Sequence, residues 1–87
     1  MQIKPEYQLR NIAGDYVVVA SGASVVDLAG SFTLNESGAV LWKALENGAD
    51  IKALTEALTN EYDVDEKEAE KDAESFVEFL KQRDMLI

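Results

Sequence analysis

The chain contains no cysteine and no histidine. Without cysteine there is no disulfide, no thiolate nucleophile and no cysteine-ligated metal. Without histidine the usual general base at neutral pH is missing, and with it the Ser-His triads and most zinc sites. Basic residues are scarce: eight Lys and Arg stand against seventeen Asp and Glu, a formal net charge of −9. The deficit lies in the second half, since residues 1–34 carry a net −1 and residues 35–87 a net −8. Such a chain repels phosphate backbones and anionic bilayers, so neither nucleic acid nor a membrane is an expected partner. No apolar run approaches the roughly 20 residues of a membrane-spanning helix, and the first residues lack the apolar stretch of a signal peptide. A cytoplasmic location follows as the expectation.

What is present is globular. Hydrophobic residues make up 47% of the 87 and charged ones 29%, a globular balance, and a chain this short closes a small core with little room for an internal catalytic cavity. One domain over residues 1–87 is expected. Its first third is rich in Val and punctuated by Gly14, Gly22 and Gly30. Tyr7–Ile12 places Tyr7, Leu9 and Asn11 on one face and Gln8, Arg10 and Ile12 on the other, which predicts a strand. Ala13-Gly14-Asp15 is a turn, and the β-branched Tyr16–Val19 a second strand paired with the first. Val25–Leu28 and Phe32–Leu34 can both be extended, with a turn or bulge at Ala29-Gly30-Ser31. The spacing therefore predicts strands over 7–12, 15–20 and 31–34, and room for a short one at 24–28.

From Asn35 the period becomes helical. Asn35, Asp50 and Asp65 are N-caps for helices predicted at 36–46, 50–60 and 66–83. Asp65 and Glu68 have capping-box spacing, and Asn47-Gly48 closes the first helix. Ile51, Leu54, Leu58 and Tyr62 share one face of the second helix; Ala69, Ala73, Phe76, Val77 and Leu80 share one face of the third. Leu34, Leu41, Trp42, Leu45, Leu54, Leu58, Phe76 and Leu80 are the expected core. Strands followed by three short helices make an α+β, winged-helix-like domain whose small sheet leaves an edge open.

Chemistry-bearing motifs are absent. The acidic run Asp63–Glu68 puts Lys67 and Glu68 at the fifth and sixth positions of a would-be calcium loop, so a helix cap and a solvated face explain it better. Ser37 lacks a nucleophile elbow. No catalytic residue, cofactor site or metal site is expected.

Three stretches carry a family resemblance. Phe32-Thr33-Leu34-Asn35-Glu36-Ser37-Gly38-Ala39-Val40-Leu41-Trp42 resembles the "TLNETGA-x-LW" signature of PqqD-like proteins. Asp63-Val64-Asp65 through Ala69 and Asp72 resembles the opening of their last helix, and Phe79–Leu86 their C-terminal ending, with Asp84 and Met85 departing from it. Together they place residues ~7–87 within the family's pattern. The resemblance implies a non-catalytic module, the precursor recognition element or peptide chaperone of ribosomally made, modified (RiPP) peptides. It implies a precursor leader peptide as ligand and a modifying enzyme, often a radical SAM protein, as partner. The leader is expected to add as an antiparallel strand beside Gly30, Ser31, Phe32, Thr33 and Leu34, with its apolar side chains against Ala73, Val77 and Leu80. Val25–Leu28 is the other candidate docking edge; Phe32–Leu34 fits better because it leads straight into the first helix. The acidic second half favours leaders with Lys or Arg near the third helix. The competing readings are a winged-helix DNA-binding regulator, which needs the basic recognition helix this chain lacks, and a scaffold or subunit-docking domain.

Overall fold

The computed structural model describes residues 1–20 and 32–87. Three antiparallel strands precede three helices: β1 (Tyr7–Ile12), β2 (Asp15–Ala20), β3 (Phe32–Leu34), α1 (Glu36–Glu46), α2 (Ile51–Glu61) and α3 (Glu66–Gln82). This is the expected α+β order, with helix ends within a residue of the predicted ones. The candidate strand at 24–28 and the turns around it lie outside the described residues, as do Gly30 and Ser31.

The sheet runs β1-β2-β3, so β2 is central. Two residues, Ala13 and Gly14, join β1 to β2, and both have positive φ, 54° and 89°. That pairing of signs is the type I′ turn, whose twist matches the strands it joins. The Asn11 side chain accepts a bond from the Gly14 N–H at 3.2 Å. Alanine is a poor occupant of the left-handed region, which costs a side chain with Cβ about 1–2 kcal/mol. Ala13→Asn is therefore expected to raise stability by roughly 0.5–1 kcal/mol, read as a higher urea midpoint at unchanged slope.

Asn35, Asp50 and Asp65 cap their helices as expected, but among the described residues no bond joins Glu68 to Asp65, so the expected capping box does not close. Asn35 Oδ1 accepts from the Gly38 N–H at 2.8 Å, and Asp50 Oδ1 from the Ala53 N–H at 2.8 Å. Asp65 caps α3 through the Lys67 N–H at a longer 3.4 Å. Gly38 also sits close to the chain that precedes it. A Cβ there would stand 3.0 Å from Asn35 Oδ1 and 3.3 Å from the Leu34 Cβ, so the corner from β3 into α1 would have to give by a few tenths of an ångström to admit one.

The core lies between the sheet and the helices. Leu41, Trp42, Leu45, Leu54, Leu58 and Leu80 are buried as expected. Leu34 and Phe76 are only half-buried, against expectation. Leu34 ends an edge strand, and Phe76 sits on the margin of the α3 stripe, so each is covered from one side. The sequence pattern missed Ile3, Val18 and Met85, all buried. Ile3 is packed because the first residues return to the far end of the chain. Its N–H bonds the Leu45 carbonyl at 3.2 Å, and the Lys4 and Ile87 N–H groups bond Met85 and Gln2 carbonyls at 2.9 Å. Lys4 also pairs with Asp84 at 3.1 Å. Thr55, buried on α2, satisfies its hydroxyl on the Ile51 carbonyl at 2.8 Å.

Candidate functional site

The register of the sheet decides which main-chain groups are free. A two-residue loop makes Ile12 and Asp15 the closing pair, which exchanges both its bonds. Alternation then directs the N–H and C=O of Val17 and Val19 toward β1, and those of Tyr16 and Val18 toward β3. On β3 the partners of Tyr16 and Val18 are Leu34 and Phe32. Thr33, between them, turns its N–H and C=O to the outer edge, where no described strand lies. The same parity on β1 sends the Tyr7 N–H outward, and there it bonds the Lys4 carbonyl at 3.2 Å. Among the described residues nothing meets that outward donor and acceptor of Thr33.

The sheet's core face at this edge is aromatic. Phe32 stands opposite the buried Val18, half-buried, and meets Phe79 of α3 edge-on, with centroids 5.3 Å apart and planes at 85°. The Arg83 guanidinium covers both rings, its Cζ 4.5 Å from the Phe79 centroid and 5.0 Å from that of Phe32. Beside Phe79 the outer flank of α3 carries a shallow depression of about 480 Å³ lined by Glu74, Ser75, Glu78 and Gln82.

Of the expected helical contacts, Ala73 and Leu80 are fully buried and Val77 is 4% exposed. All three belong to the central line of the α3 stripe and are taken up by the core with Leu54, Leu58 and Trp42. The helix positions that reach the β3 side lie further round it: Phe79 and Arg83, with Phe76 between them and the core. Sequence reasoning had not singled out Phe79 or Arg83. The available signal was spacing, because residues 76, 79 and 83 repeat at three and four and form a second line along the stripe. Phe32, Thr33 and Leu34 lie on the outer strand of the described sheet, and Gly30 and Ser31 lie outside the described residues.

Nothing described here is arranged for acid–base work. The Tyr62 hydroxyl is pushed above its ordinary value by burial and by the Glu36 and Glu61 carboxylates, further from neutrality. Among the described residues no group of three Asp or Glu gathers as a metal site would need, and no helix is long and apolar enough to cross a membrane.

The strand-then-helix fold recurs in two solved structures. One is TbiB1 in complex with the TbiA(beta) leader peptide: TM-score 0.76, 24% identity, 99% of this chain and 94% of that chain covered. The other is a lasso peptide synthetase B1 complexed with the leader peptide: TM-score 0.75, 24% identity, 97% and 93% covered. At that identity the likeness defines a shared domain fold. The family model described as Coenzyme PQQ synthesis protein D (PqqD) matches residues 17–86, and the chain belongs to the PqqD family. The match begins inside β2, so β1, with its mostly exposed side chains, stands outside it. No curated protein matches the chain.

Proposed function

We propose that this chain is a non-catalytic peptide-binding module of a RiPP pathway. It takes the leader of a precursor peptide as an added strand on β3 and presents it to a modifying enzyme, such as a radical SAM protein. The observation that carries this reading is the outward N–H and C=O of Thr33 at an edge backed by Phe32 and Phe79. Main-chain bonds there supply affinity, and the aromatic floor supplies selection. Membership of the PqqD family supports it, as does a fold shared with two proteins solved with leader peptides bound. The lack of His and Cys suits a module that binds and does no chemistry. A DNA-binding role finds no basic helix, since residues 65–84 carry eight acids and four bases.

The test is titration calorimetry with amide chemical-shift mapping, using a synthetic leader of the precursor encoded with this chain. Saturable binding with shifts at 32–34 and along 76–83 is the expected result. Shifts confined elsewhere would refute the site, absence of binding the module itself. Selective retention of a DNA duplex at low salt would put the regulator reading in its place.

A further inference from the structure

Arg83 is held in an unusual way for this chain. Its guanidinium carbon lies 4.5 Å from the Phe79 ring centroid and 5.0 Å from that of Phe32, while the side chain stays exposed to solvent. Among the described residues no hydrogen bond or ion pair uses its fork of N–H donors. Among the described residues, the ion pair at this corner is Lys4–Asp84 at 3.1 Å, so the acid next to Arg83 in sequence is engaged by another cation. In a protein with seventeen acids and eight bases, a guanidinium placed at the candidate docking edge without a described carboxylate is poised for one from outside.

We propose that Arg83 reads a carboxylate on the leader peptide, an inference that rests on the strand-addition reading above. The geometry gives the position. An antiparallel strand bonded to Thr33 runs its C-terminal direction toward the start of β3, where Phe32, Phe79 and Arg83 meet. Facing residues of paired strands share a side of the sheet, so the leader residue opposite Phe32 points to the Phe79 and Arg83 side, as does the one two further on. The leader therefore carries Asp or Glu one or three residues C-terminal to the residue bonded to Thr33. A planar fork meeting a planar acid makes two parallel charge-assisted bonds. Elsewhere along α3, Glu74 and Glu78 flank the depression beside Phe79 and repel an acid. Arg83 reverses the sign locally, so one acidic residue pins the strand's register on an edge whose main-chain bonds alone would accept several.

The experiment is a scan of the synthetic leader in which each Asp or Glu becomes its amide, titrated into wild-type chain and Arg83→Gln. The register comes from cross-strand contacts to the Thr33 amide. One amide substitution, at the first or third residue beyond the Thr33 partner, is expected to weaken binding about tenfold, and to do nothing further in Arg83→Gln. Arg83→Glu should bind the unmodified leader worse still and regain affinity when that leader acid becomes Lys. A residue that merely packs on Phe32 and Phe79 gives no such rescue. Arg83→Leu, which keeps apolar cover over the rings, controls for lost packing and should bind like Arg83→Gln. A leader that binds wild type and Arg83→Gln alike overturns the inference and leaves the peptide-binding reading standing. A leader that fails to bind wild type overturns both.

Discussion

Truncating Trp42 to alanine is expected to cost about 3–5 kcal/mol of folding stability. Its side chain is wholly excluded from solvent and packed in one cluster with Leu41, Leu45, Leu54 and Leu58. Alanine would forfeit the transfer energy of the indole and leave a cavity that short helices on a three-stranded sheet cannot collapse into. At about 0.05–0.15 kcal/mol per residue a domain of this size holds only ~4–13 kcal/mol, so the variant sits near the edge of folding. One term works the other way. The Trp42 Nε1 hydrogen is buried with no acceptor among the described residues, a state worth about 1–3 kcal/mol against the native side chain. Trp42→Phe removes that orphan while keeping much of the volume, and should cost far less than alanine. Urea denaturation followed by circular dichroism separates the two. Equal losses for Phe and Ala would mean that the indole has a hydrogen-bond partner after all.

Thr33→Pro is expected to weaken leader binding by about 10- to 100-fold while the domain stays folded. The Thr33 N–H points to the outer edge and takes no part in the β2 ladder, so proline there removes no sheet bond among the described residues. It does remove the outward donor. The leader carbonyl that would meet it is then desolvated without a partner, at a cost of about 1–3 kcal/mol on top of the lost bond. Thr33→Ala keeps the N–H and alters only an exposed side chain, so its affinity should stay within about twofold. Calorimetry on the three proteins, with thermal melts as the folding check, reads both numbers. Equal affinity for the alanine and proline variants would remove β3 from the binding site.

These variants also show where sequence reasoning reaches. The caps Asn35, Asp50 and Asp65 act through bonds to residues two or three positions on, so composition and spacing reveal them. Edge position is also legible, because three short strands cannot close on themselves. Face assignment on α3 was less so. Ala69, Ala73, Val77 and Leu80 form its buried line and Phe76, Phe79 and Arg83 the next, and at 3.6 residues per turn the two differ by a fraction of a turn. Only the positions of β3 and α2 decide which line the core consumes. The Arg83 stack was illegible for another reason: it joins residues from two elements far apart in the chain. The burial of Ile3, flanked by Gln2 and Lys4, likewise depends on a partner at the opposite end.

That meeting of Ile3 with Leu86 has a kinetic side. Each helix and the first hairpin can form from neighbouring residues, whereas this bridge closes a loop of nearly the whole chain and returns only a few bonds for it. It should form last and open first, as a local event below the free energy of global unfolding. The amides of Ile3, Lys4 and Ile87 would then exchange with solvent deuterium sooner than those of Leu54 or Leu58. Lys4 also holds Asp84, the residue after Arg83, so the same opening is expected to release that ion pair.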